Sequence, residues 1–449
     1  MVKDRTGSNL TTKSNSKPKS EKIQNAKTTK KQEKPSNSYP KAPEPKHFKF
    51  TSAYSDTNRS AKAQRIVYSC EFHPFVNDTK ILATAGGPLA CIYEVADKSQ
   101  KHEIRIIQTY EDKNAEEDFF TCCWCLVENE SCLLVAGETG NIRMINAKDA
   151  SFYKNFQAHG SSVNELKRHP RYPMIIGSAS KDMSIRLWNV ENDACLAVFG
   201  GQTSGFADFV SLDFSPCGGA LISSGMDHQL NIWELERGAV AELIGENELQ
   251  KIVINEDISD VATDYVSDNG HYDLQKRMQK SLELNELGQK TQMDHKPIFI
   301  KQPIFSTNKV HKDYVDCVKF TNNYFISKSC HNTVMLWRAV VVAKDIQYPE
   351  YLVKLDGHDF KVWFMKFGVS KCNRLLAQGT VGGDIYMWKL CTEDPAKTRV
   401  SLKFPESHVL GTNSYDNNKT VRQVCFSNDG RTVVSVHDNS VICRYDADL

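Results

Sequence analysis

Seven positions recur once per repeat along this chain and hold Tyr68, Phe120, Asn164, Val210, Asp316, Trp363 and Arg422, with Phe364 next to Trp363. Four of these eight side chains are aromatic, and they come from the first, second and sixth repeats. Several π-faces around one exposed hollow attract a quaternary ammonium through the ring quadrupole, so the chemistry on offer is binding of a methylated lysine. The same rings could instead cap the core at the ends of their strands, because Phe and Tyr are common in strands. Asn164, Asp316 and Arg422 argue against full burial at this level, since an unpaired buried charge is costly.

Other chemistry finds little support. Cys122, Cys123 and Cys125 form the one tight cysteine cluster, but they alternate faces of a strand with no His or second Cys pair at zinc spacing, and read as core packing. No Gly-rich phosphate loop, nucleophile elbow or paired-carboxylate pattern stands out, so no catalytic residue, metal or cofactor is expected. No stretch approaches the roughly 18 apolar residues of a membrane span, and the first residues hold no apolar signal segment, so an intracellular protein without a membrane is expected. The 14 cysteines then read as reduced.

The elements that must position the aromatic row are short strands. From His47 onward, β-branched and aromatic runs alternate with Gly, Asn, Asp and Ser turns, an all-β signature. Strands ending in an aromatic or apolar mark recur at Tyr93, Ile145, Trp188, Trp233, Trp337, Trp388 and Tyr445, spaced by 52, 43, 45, 104, 51 and 57 residues. Most intervals sit near the roughly 40 to 45 residues of a WD40 blade, so the marks predict a seven-bladed β-propeller spanning 47–449. Asp182 and Asp227 each lie six residues before their Trp, and His159 and His358 precede their blades, which suits the structural His–Ser–Asp–Trp network of such repeats. Too few residues follow Tyr445 for a last strand, so residues 47–54 are expected to close the ring and remove its exposed edges.

Innermost strands were aligned on their ends, Phe72, Trp124, Arg168, Phe214, Phe320, Phe367 and Phe426. Four residues back from each end lie Tyr68, Phe120, Asn164, Val210, Asp316, Trp363 and Arg422, which should circle one mouth of the central channel.

Charge is uneven along the chain. The 56 Lys and Arg nearly balance 55 Asp and Glu, but residues 1–50 carry a net +9. Residues 1–46 have almost no large apolar side chains and are expected to be disordered. Such an arm could contact DNA non-specifically or serve nuclear import, or it is simply a solvated tail. Residues 237–297 form an acidic insertion expected between blades four and five, with Leu274, Met278 and Leu282 at helical spacing. A partner site and a solvated excursion both remain open for it.

Phe119-Phe120-Thr-Cys-Cys-Trp124, Val163-Asn-Glu-Leu-Lys-Arg-His-Pro170, Ser180-Lys-Asp-Met-Ser-Ile-Arg-Leu-Trp-Asn189, Tyr314-Val-Asp-Cys-Val-Lys-Phe320 and Val421-Arg-Gln423 resemble, in order, the Polycomb WD40 family of extra sex combs and embryonic ectoderm development. The resemblance implies a nuclear, chromatin-associated, non-catalytic subunit of the Polycomb repressive complex that methylates a lysine of the histone H3 tail. It implies a SET-domain methyltransferase as partner, docked on one face, and the H3 tail on the other. Carried over by position, the cage for trimethyl-lysine falls on Tyr68, Phe120 and Phe364, with Trp363 along the lysine's aliphatic part. Asn164, Asp316 and Arg422 become rim contacts for the peptide. The family usually has Phe at the place of Tyr68 and Tyr at those of Phe120 and Phe364, so the ring count is kept while hydroxyls move. The long insertion and basic tail suggest a fast-evolving invertebrate lineage such as the nematodes, with a germline role. Other roles open to this fold are a pure assembly scaffold with a silent cage, a ubiquitin-ligase substrate receptor and a signalling propeller.

Overall fold

The structure, a computed structural model, describes residues 48–55, 65–76, 78–96, 104–149, 151–201, 205–235, 240–241, 244, 296–321, 324–343, 346–356, 359–391, 394–404 and 420–447. The basic tail, His47, His358 and the Leu274, Met278 and Leu282 series lie outside the described residues. Among the described residues seven sheets form in chain order, six of four strands and one of five, antiparallel but for the fifth strand of that last sheet. Their innermost strands are Ser69–Phe72, Phe119–Val127, Val163–Arg168, Phe209–Phe214, Val315–Phe320, Gly368–Val369 and Val421–Phe426.

Each sheet is apolar on both faces, and neighbouring sheets pack through those faces. Tyr93 and Leu82 of blade one meet Val434, Val436 and Ile442 of blade seven. Trp188, Phe214 and Trp233 share one core across blades three and four, and Leu336, Phe360 and Trp388 another across blades five and six. Cores of this kind fill every seam of the circle.

The circle closes as the sequence predicts. Phe48–Ser55 pairs antiparallel with Val441–Ala447, with Phe48 opposite Ala447 and Phe50 opposite Tyr445, and becomes the outermost strand of blade seven. Turn residues keep the blades tight: Gly140 has φ +77°, and a Cβ there would meet the Ser161 carbonyl oxygen at 2.6 Å.

Blade three holds the repeat network in full. The Trp188 indole and the His159 Nε2 share the Ser178 hydroxyl, at 2.9 and 2.6 Å, and His159 Nδ1 meets Asp182 at 2.9 Å. In blade four Trp233 bonds Ser223, while Asp227 accepts from the Ala207 and Gln229 amides without a histidine. Blade five rebuilds the Trp337–Ser327–His311 part, a histidine that the Gly-His pattern does not mark.

Two arrangements differ from expectation. The insertion does not separate blades four and five: it leaves after Leu230–Glu234, the third strand of blade four, and the outermost strand of that blade, Phe305–Thr307, follows it. The Trp mark sits on the third strand, so a blade continues beyond its mark. On the way back, Ile298–Ile300 pairs parallel with Ala194–Gly200 as a fifth strand of blade three.

Blade six is the other case. Its innermost strand pairs only at Gly368 and Val369, opposite Ala377 and Leu376, and Leu376 in turn faces Trp388. Val369, not Phe367, therefore stands in register with Phe426, which faces Val433 and through it Tyr445. Met365, fully buried, occupies the level assigned to Trp363.

Closure by the first strand has a measurable cost when broken. Phe48→Ala, which empties a buried position in the seam of blades six and seven, should lower urea-unfolding stability by about 3–5 kcal/mol, against no more than about 0.5 for Lys49→Ala on the exposed side. Equal effects of the two would show that the strand is not part of the closed ring.

Candidate functional site

Each innermost strand has one partner inside its own sheet, and its other edge turns to the channel, where backbone groups need partners. Side chains of the preceding blade supply them. Glu71 accepts from the Trp124 amide at 3.0 Å, Thr121 from Leu166 at 3.0 Å, and Glu165 from Leu212 at 3.1 Å. Ser211 accepts from Val318 at 3.1 Å, Asp213 from Phe320 at 2.8 Å, and Asp316 from Met365 at 3.1 Å. Between blades six and seven the backbones pair directly, Lys366 donating to the Arg422 carbonyl at 2.7 Å, and Gln423 then accepts from Cys70 at 3.3 Å and returns the relay to blade one.

The row of equivalent positions rides on irregularities of these strands. Phe120, Asn164, Val210, Asp316 and Arg422 are each the unpaired residue at a register shift between the first and second strands. A bulge of this kind re-aims one side chain out of the alternation.

Three rings converge. Tyr68, Phe120 and Phe364 have pairwise centroid separations of 5.2, 5.4 and 5.6 Å and interplanar angles of 81°, 85° and 63°, close to the corner of a box. Trp363 extends the corner, 5.7 Å from Phe364, and is 47% exposed where the five other tryptophans are buried. Phe364 arrives despite the shifted register of blade six, because its backbone turns through φ +64°. That left-handed value is unusual for an aromatic residue and persists only where neighbours over-determine it.

Those neighbours are the residues expected at the rim. Arg422 is fixed by Asp438 and donates Nη1 to the Trp363 carbonyl at 3.0 Å. Its guanidinium carbon lies 5.6 Å from the Tyr68 centroid. Asp316 is fully buried against Lys328, with oxygens at 2.8 and 2.9 Å from Nζ, while it holds the Met365 amide. Asn164 is buried too: its side-chain amide donates to the Phe209 carbonyl at 2.7 Å, and its backbone carbonyl accepts from Lys366 Nζ at 3.1 Å. Asn164 and Asp316 thus face inward, because each has a partner on another strand or blade that sequence spacing does not display.

Lys366 and Glu165 were not singled out by the sequence. Lys366 reaches from blade six across the channel to Glu165 of blade three, 3.1 Å away, and its ammonium stands 4.8 Å from the Phe364 centroid. The sequence signal is a charged residue inside the inner strand of blade three and another two residues ahead of that of blade six. Burial pushes the Glu165 carboxyl up, but Lys167 and Lys366 outweigh it and hold the group down to about 2. Around Tyr68, burial and the nearby carboxylates of Asp118, Asp438 and Glu138 raise the phenol against the pull of Arg422, so it stays neutral. Burial also pushes Asp118 up to about 6.

Cys123 and Cys125 lie in one core cluster and Cys122 in another, on opposite faces of their strand, with thiols raised by burial. They pack, as their alternation predicts. Below the corner the channel widens into a cavity of about 620 Å³ that includes Glu71, Lys167, Arg168, Asp213, Lys319 and Gln423 in its walls.

Strand order and repeat network define a seven-bladed WD40 propeller, with an aromatic corner at one channel mouth. The WD domain, G-beta repeat, matches residues 150–189, 193–234 and 408–446. The chain is 27% identical to the Polycomb protein esc of Drosophila virilis over 82% of its own length and 78% of that protein. It is 28% identical to the Polycomb group protein FIE1 of Oryza sativa, covering 88% and 74% of the two chains. Among solved structures, Chaetomium thermophilum Polycomb Repressive Complex 2 bound to GSK126 contains a chain that superposes with TM-score 0.67 at 17% identity, covering 89% of this chain and 98% of that one. A second, of the same fold with TM-score 0.63 and 17% identity, covering 89% and 98%, is a structure of ctPRC2 in complex with H3K27me3 and H3K27M. Over most of its length the chain is thus similar to the Polycomb WD40 proteins esc and FIE.

The inner ion pair gives a pH test. Glu165 is held below the ordinary glutamate value of about 4.3, so its stabilisation is complete above about pH 5 and lost as pH falls toward 2. The stability advantage of wild type over Glu165→Gln in urea should shrink across that window; a constant difference would contradict the pairing.

Proposed function

We propose that this protein is the non-catalytic WD40 subunit of a Polycomb repressive histone H3 lysine methyltransferase complex, acting on chromatin in the nucleus to maintain transcriptional repression. Its own chemistry is recognition: Tyr68, Phe120 and Phe364 take the trimethylammonium of a histone H3 lysine, and Trp363 covers the aliphatic part of that side chain. The observation that carries this reading is the corner of three nearly perpendicular rings, which offers a cation several π-faces at once. The kinship with esc and FIE points the same way. The opposite face, with the mouth of the large cavity, is left for a SET-domain methyltransferase subunit, and residues 1–46 would add non-specific contacts to DNA.

Cation–π contacts contribute about 0.5–2 kcal/mol each, so a single peptide binds modestly and the complex gains by avidity. Titration with an H3 tail peptide bearing the repressive trimethyl-lysine should give tighter binding than its unmodified twin. Trp363→Ala should abolish that preference with the unfolding midpoint unchanged. Equal affinity of both peptides for the wild type would leave an assembly scaffold only.

The carboxylates near Tyr68 add a pH dependence. Asp118, raised to about 6, is largely ionised at about pH 7.5 and largely neutral at about pH 5, so the negative field acting on a bound cation falls as pH drops. Trimethyl-peptide affinity should weaken over that interval, and Asp118→Asn should flatten the profile. An unchanged profile in the variant would remove Asp118 from the site.

A further inference from the structure

We infer that Lys366 sets the methyl-state preference of the cage, an inference that rests on the methyl-lysine reading above. Its ammonium is buried beneath the aromatic corner, 4.8 Å from the Phe364 centroid, and spans the channel from blade six to blade three. A lysine without methyl groups carries three N–H donors that need acceptors wherever they leave water, whereas a trimethylammonium carries none. Beneath Phe364, on the Lys366 side of the corner, the acceptors are already held. Lys366 and Lys167 hold Glu165 Oε1 at 3.1 and 2.8 Å. The Leu212 amide and the Ser211 hydroxyl hold Oε2. Lys366 also takes the Asn164 carbonyl at 3.1 Å, and Lys328 with the Met365 amide takes Asp316.

On that side an unmethylated or monomethylated ammonium entering the corner thus meets ring faces and acceptors already held by Lys366, Lys167, Lys328 and backbone amides. Stranded donors are expensive to bury. The positive charge of Lys366 acts on both forms alike, but the trimethylated one needs no acceptor, because it binds through ring faces alone. Lys366 acts by withholding acceptors, and need not touch the ligand.

Replacing Lys366 by Met removes the charge and releases the Asn164 carbonyl and one side of Glu165, which keeps Lys167 as its partner. The test is calorimetric titration of the full chain with H3 tail peptides carrying unmodified, monomethyl and trimethyl lysine. Wild type should prefer the trimethyl peptide. Lys366→Met should reduce the trimethyl-to-unmodified affinity ratio by about tenfold, a change in ratio that a general loosening of the site would not produce. Lys366→Arg, which keeps charge and donors, should restore the wild-type ratio. Lys366→Gln serves as the neutral variant should Met at this buried position fail to fold, with the same fall expected. A variant that weakens all three peptides equally, or preserves the ratio, overturns the inference. A wild type without any methyl preference would instead overturn the cage reading itself.

Discussion

A propeller must give partners to the channel-facing edge of every innermost strand, and this requirement organises the molecule from its axis outward. A buried amide without a partner costs about 1–3 kcal/mol, and the channel presents such amides in every blade. Here the second partner is a side chain from the preceding blade: Glu71, Thr121, Glu165, Ser211, Asp213, Asp316 and Gln423 each take a backbone N–H of the next strand. The polar lining of the channel is therefore the means by which seven sheets share one axis. Apolar seams between blades supply most of the burial, and the first strand joins the last sheet so that the circle has no open end.

The aromatic corner grows out of that relay. Five of its equivalent positions sit on strand bulges, and the groups that hold the Trp363–Lys366 segment are members of the relay or lie beside it. Asp316 serves both purposes with its two oxygens, pairing with Lys328 and taking the Met365 amide. Phe364 can keep a left-handed backbone because Arg422 on one side and Asp316 on the other fix the residues around it. Two internal cations, Arg422 and Lys366, stand near Tyr68 and Phe364, and each is neutralised by a carboxylate, Asp438 and Glu165. The corner is thus built from rings whose orientation is set from below and behind.

Strand marks were legible in the sequence because Trp188, Trp233, Trp337 and Trp388 must each lie buried at one place in a repeated sheet. Closure was legible from the alternation of residues 47–54, and the observed strand is Phe48–Ser55. The corner was legible as Tyr68, Phe120, Trp363 and Phe364, though for blade six the alignment on Phe367 was two residues out. A Phe at the end of an apolar run imitates the register mark, and only the pairing of Gly368 and Val369 with the next strand reveals the shift. Asn164 and Asp316 looked like rim residues because polarity implies exposure when partners are unknown. The partners of these side chains, the Phe209 carbonyl and Lys328, lie 45 and 12 residues away in sequence, one on the next blade and one on the adjacent strand.

The central claim is that a trimethylated lysine enters the corner formed by Tyr68, Phe120 and Phe364. A crystal structure of the protein with a trimethyl-lysine H3 peptide tests it most directly. The account predicts the quaternary nitrogen within about 6 Å of all three ring centroids, with Trp363 along the methylene chain and the Lys366–Glu165 pair intact beneath. A peptide seated elsewhere on the propeller, with the three rings still packed on one another, would contradict it.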